Sequence, residues 1–135
     1  MAYLVGVFLA LGVGAFGTLV RLDRDRAFYT TILLVVASYY ALFAVIGGSR
    51  HALLVESIGI AIFLMVAAVG FRRSMWLVAA GLVAHGIFDA FHQRVITNPG
   101  VPPWWPPFCM SYDVVAGVYL ACLLGRRGVL HGEPA

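Results

Sequence analysis

Residues 84–94 read AHGIFDAFHQR, which places His85, Asp89 and His92 at i, i+4 and i+7. That spacing lines one stripe of a helix. Further on, CMSYD sets Cys109 and Asp113 at i, i+4, and Glu56 interrupts the apolar run of residues 52–70. Imidazole, carboxylate and thiolate are the donors that zinc takes, usually four, and a catalytic zinc leaves one position for water. His85, His92, Asp113 and Asp89 are the candidate ligands for zinc or a similar divalent ion, with Cys109 as a possible further donor. Asp89 and Glu56 are the candidate catalytic bases, able to take a proton from water that an ion has made more acidic.

Other chemistries fit the same residues. Without a metal, Asp89, Glu56 and Asp113 could protonate and deprotonate an apolar substrate, as an isomerase or cyclase does, with tyrosine rings steadying a cation. A carboxylate–histidine path could carry protons or ions, or the chain could bind a ligand without catalysis. Polar side chains also tie helices together in lipid by hydrogen bonds alone. No stringent zinc motif such as H-E-x-x-H selects among these.

The elements that must carry these residues are apolar. Hydrophobic residues make up 62% of the 135 and charged residues 11%, against roughly a quarter charged in soluble domains. Five stretches, roughly 2–20, 28–47, 53–70, 75–92 and 108–124, reach the length needed to cross the hydrocarbon. The expectation is an all-α polytopic membrane protein, a bundle of five transmembrane helices forming one domain over residues 1–135. The first helix has no positive region before it and reads as retained, not as a signal peptide.

All nine basic residues are arginines. Seven (Arg21, Arg24, Arg26, Arg72, Arg73, Arg126, Arg127) follow helices one, three and five, and only Arg50 and Arg94 lie at the other end. The positive-inside rule then puts the N-terminus outside and the C-terminus in the cytoplasm of a bacterial inner membrane. In that topology Glu56, His85, Asp89, His92, Cys109 and Asp113 all fall in the outer half of the bilayer. An ionised acid costs about 2.5–3.5 kcal/mol at mid-membrane, less near the interface. Three acids on three helices at one level therefore imply faces turned together around a polar cavity.

Tyr39, Tyr40, Cys109, Tyr112, Trp104 and Trp105 are candidate contacts for a hydrophobic substrate. The two tryptophans lie in a stretch with five prolines in residues 99–107, a stiff loop suited to a lid or an interfacial anchor. Gly6, Ala10, Gly14 and Thr18 form a small-residue stripe on helix one, either a homodimer seam or packing within the bundle. Cys109 and Cys122 are thirteen residues apart on one helix, about 20 Å, too far to pair. The expected partners are membrane lipids, a hydrophobic small molecule and a second copy of the chain, and no motif indicates nucleic acid.

HGIFDAFH, the Asn-Pro, Trp and Pro-rich loop, and CMSYD together resemble a family of small bacterial integral membrane proteins of unknown function. The resemblance covers about residues 75–121. It implies His85, Asp89, His92, Cys109 and Asp113 as signature positions and brings no reaction with it. In site type alone the set is also similar to the intramembrane zinc hydrolases of the alkaline ceramidase kind. The metal-free sterol isomerases like the emopamil-binding protein offer a second analogy, and neither shares these motifs.

Overall fold

A computed structural model describes residues 1–131. Five helices follow one another: α1 (Ala2–Leu19), α2 (Arg26–Ile46), α3 (Arg50–Arg72), α4 (Met75–Val95) and α5 (Trp105–His131), with a 3-10 turn at Leu22–Arg24. Each is long and apolar enough to cross a membrane. α5 packs on α1 and α4, α4 packs on α2 and α3, and α2 pairs with α3. α4 is therefore the strut against which three other helices lean.

Local chemistry sets the ends. The Asp25 side chain accepts from Ala27 N at 2.8 Å, Ser49 from Ala52 N at 3.1 Å and Ser74 from Trp76 N at 3.3 Å. These bonds satisfy amide groups that the first turn of a helix leaves free. The Ser49 cap starts α3 three residues before its expected beginning at 53. α5 also starts early, at Trp105 instead of 108. Pro106 and Pro107 sit in its first turn, where a missing N–H costs nothing. Two prolines read as loop are thus the opening of a helix.

The loop between α4 and α5 folds back over the end of α2. Val101 packs with Tyr40 and Phe43. Gly100 lies so close to the Phe43 carbonyl and to Gly47 N that a side chain at Gly100 would collide with backbone. Glycine is what permits that approach.

The distribution of polarity is inside-out. Leu54, Ile58, Met65, Phe91 and Phe8 are exposed, whereas Glu56, His85, Asp89, His92 and Asp113 are buried. On α3 the contrast is sharp: Leu54 is 71% exposed and Glu56 only 2%. Burying one such apolar side chain is worth about 1.5–3 kcal/mol in water, so a whole belt of them facing outward calls for hydrocarbon outside. The chain is a multi-pass membrane protein.

The small-residue stripe of α1 has an internal partner. Gly6, Ala10 and Gly14 are buried. A Cβ at Gly6 would press on Ser111 Oγ and the Phe108 carbonyl, and one at Gly14 on the Tyr119 ring. Thr18 Oγ1 lies 3.0 Å from Tyr119 Oη. The stripe packs along the α1–α5 contact.

At the end bearing most of the arginines, Arg127 Nη2 meets Asp23 Oδ2 at 2.6 Å and Arg127 Nη1 donates to the Asp23 carbonyl at 3.1 Å. This clamp ties α5 to the α1–α2 turn.

Candidate metal centre and the adjoining histidine pair

α4 presents His85, Asp89 and His92 on one buried face, as the spacing predicts. α5 answers with Cys109 and Asp113, α3 with Glu56 and α2 with Tyr40. All belong to the end of the bundle that carries the α2–α3 and α4–α5 connections. All three acids are buried, Asp89 and Asp113 in one group and Glu56 in another, and no arginine is paired with any of them among the described residues.

The deeper group is His85, Asp89, Cys109 and Asp113. One donor atom from each lies within 4.8 Å of all the others, and all four residues are buried. His85 Nδ1 is 2.7 Å from Asp113 Oδ2 and 3.4 Å from Asp89 Oδ2. Tyr40 Oη donates to Asp89 Oδ1 at 2.6 Å. Two carboxylate oxygens, Asp89 Oδ2 and Asp113 Oδ1, are buried without a hydrogen-bond partner among the described residues. Leaving such a buried acceptor unsatisfied costs about 1–3 kcal/mol, more for a charged group. If both carboxylates are ionised beside at most one imidazolium, the surplus of negative charge is one that a cation would satisfy.

The second group lies nearer the end of the bundle. His92 Nε2 is 2.7 Å from Glu56 Oε1. Asn98 Nδ2 donates to the same oxygen at 3.0 Å and to the Tyr40 carbonyl at 3.1 Å. The rings of Tyr40 and Phe88 enclose His92, one stacked and one edge-on. Phe63 closes over His85 edge-on, with ring centroids 4.7 Å apart.

The cluster therefore takes Cys109 where the sequence suggested His92. The cause is axial distance: seven residues separate His85 from His92, about 10 Å of helix. One stripe can hold both rings on a single face without bringing them to a single ion. Glu56 joins His92 and lies outside the deeper group, while Asp89 and Asp113 sit within it.

Of the candidate substrate contacts, Tyr40 reaches the cluster directly. Tyr39 and Trp105 pack edge to face, centroids 4.9 Å apart, and with Cys109 and Tyr112 they line an apolar groove. Trp104 is exposed and touches Trp105 at the surface. A smaller opening of about 170 Å³, lined by Asp89, Gln93, Tyr3, Met110 and prolines 106 and 107, lies on another side of α4, and the Asp89 side chain itself stays buried. Asn98 was not singled out from sequence. Its signal was an amide just before a proline in an otherwise apolar connection, and nothing local shows that the loop turns inward.

No family model, curated protein or solved structure matches the chain.

Proposed function

We propose that this protein is a membrane-embedded, metal-dependent hydrolase of a hydrophobic substrate, with His85, Cys109 and Asp113 as ligands and Asp89 as the base. The observation that carries the reading is the convergence of four buried donors, with two carboxylate oxygens that accept no hydrogen bond among the described residues. Mixed nitrogen, sulfur and oxygen donors suit zinc.

A bound divalent ion would acidify water and polarise a carbonyl. Asp89 is suited to the remaining role. Its Oδ1 is held by Tyr40, which fixes the carboxylate, and its Oδ2, 3.4 Å from His85 Nδ1, accepts no hydrogen bond among the described residues and could take a proton. Glu56, already engaged by His92 and Asn98, braces the neighbouring pair. The arginine excess at the opposite end supports the N-out, C-in orientation, and with it a site in the outer half of a bacterial inner membrane.

The test is elemental analysis of the detergent-purified protein, before and after reconstitution with zinc, iron, manganese and copper. One equivalent of a transition metal is the expected result. A protein that stays metal-free after reconstitution sinks the reading.

Metal-free acid/base catalysis is the second reading. The two histidine–carboxylate contacts at 2.7 Å favour it, since both are complete hydrogen bonds without an ion. Turnover that survives strong chelators would select it.

A further inference from the structure

Between α1, α2 and α5 the lipid-facing surface is broken by a groove of about 430 Å³. That volume falls in the range of about 300–1,000 Å³ typical of small-molecule sites. Leu9, Ile32, Val35, Val36 and Phe108 supply apolar walls. Cys109 also lines the groove, and it is one of the four donors of the buried cluster. One residue thus belongs both to a groove that opens toward lipid and to the candidate metal centre.

The groove has a direction. Tyr39 packs on Trp105, so the second half of α2 meets the first turn of α5. Thr31, also on the lining, precedes Tyr39 by eight residues, about 12 Å of helix. The groove therefore runs lengthwise along the helices, as lipid chains run in a bilayer. Its aromatic end lies at the end of the bundle, the level where tryptophan and tyrosine suit the headgroup region. Its other end, at Leu9 and Thr31, lies deeper. Cys109 is four residues past Trp105, about 6 Å farther along α5. Chemistry at Cys109 would fall just below the headgroup, where an acyl chain is joined to it.

We infer that the groove binds one acyl chain of a bilayer lipid, with the tail toward Leu9 and Thr31 and the polar end at Tyr39 and Trp105. The ester or amide that joins chain to headgroup then comes against Cys109 and the cluster behind it. This substrate assignment rests on the hydrolase reading above, whereas occupancy of the groove does not. In the reaction the acyl–oxygen or acyl–nitrogen bond breaks. The hydroxyl of water goes to the acyl carbon, and the proton taken by Asp89 goes to the departing oxygen or nitrogen. The products are a fatty acid and the lysolipid alcohol, or for an amide-linked chain the corresponding amine.

The experiment uses the full chain in nanodiscs of phosphatidylethanolamine and phosphatidylglycerol doped with a phospholipid that carries a diazirine in its acyl chain. After photolysis, adducts are mapped by peptide mass spectrometry, and metal content is measured on the same samples. Leu9→Trp and Val35→Trp, tested singly, plug the groove from different helices. Both side chains are substantially exposed, so neither substitution disturbs the core. Thermal unfolding reports that each variant is folded, and either one alone is sufficient for the comparison.

The expected result is adducts on residues 32–36 and 108–112, several-fold above the outward face of α3 at Leu54 and Ile58. They are lost in the plugged variants while metal content stays unchanged. Labelling that is even around the belt, or unaltered by the plugs, overturns the groove assignment even where metal is bound. Groove labelling that the plugs abolish in a protein without metal supports the groove and removes the hydrolase reading.

Discussion

The Tyr40 ring lies flat on the imidazole of His92, centroids 3.9 Å apart with 16° between planes. The same side chain sends its hydroxyl to Asp89 at 2.6 Å. One residue of α2 therefore covers the histidine of one group and holds a carboxylate of the other. The two groups on α4 are joined through this ring.

Tyr40→Phe separates the two roles. It keeps the stacked ring and removes the hydroxyl, leaving Asp89 Oδ1 without its donor. Stability should fall by about 1–3 kcal/mol, metal should be retained, and hydrolysis should drop once a substrate is in hand. Thermal unfolding with elemental analysis reads the first two. Loss of metal from a folded Tyr40→Phe protein would show that the hydroxyl serves the ligand set itself.

The ligand set divides the two histidines. His85→Ala and Asp113→Asn should each abolish metal binding, and Cys109→Ser should weaken it. His92→Ala should keep one equivalent, because its imidazole pairs with Glu56. Elemental analysis of the folded single variants decides this, and a His92→Ala protein that loses metal while His85→Ala keeps it reverses the assignment.

Glu56 accepts from both His92 and Asn98, which makes those contacts interdependent. Glu56→Ala and Asn98→Ala should each destabilise, and the double variant should lose less than the two losses combined. The coupling expected for partners in one hydrogen-bond network is about 0.5–3 kcal/mol. A double-mutant cycle on reversible unfolding measures it, and strict additivity would mean that the Asn98–Glu56 bond contributes nothing to holding the loop.

Position 86 tests the α4–α5 contact that brings His85 and Asp113 together. A Cβ at Gly86 would lie 2.8 Å from the Met110 carbonyl and 2.9 Å from Val114 Cγ2, whereas one at Gly12 meets nothing within 4 Å. Gly86→Ala should cost about 1–3 kcal/mol by overpacking and lower metal affinity, while Gly12→Ala should be neutral or slightly stabilising. Equal thermal stability of the two variants would contradict the close approach.

Reporter fusions address orientation. A fluorescent protein fused after residue 131 should fluoresce, and alkaline phosphatase there should be inactive, as a cytoplasmic C-terminus requires. The opposite pattern moves the cluster to the inner half of the membrane and leaves its internal geometry untouched.

Much of the architecture was legible in the chain. Apolar runs of spanning length, broken by arginine clusters, define five helices, because hydrocarbon tolerates few other ways of satisfying a backbone. The i, i+4 spacings of His85 with Asp89 and Cys109 with Asp113 put each pair on one helix face, and the cost of burying acids in lipid implied that these faces meet. Which residues share a point was beyond that reasoning. His92 parts from His85 because helical rise separates them, and Cys109 enters because α5 crosses α4 tightly at Gly86. Asn98 reaches Glu56 only because the loop folds over α2, and the α1 stripe finds its partner in α5 of the same chain. Each of these depends on the relative placement of two helices or a returning loop. A helical period fixes which way a residue faces along its own axis, and only packing decides what it faces.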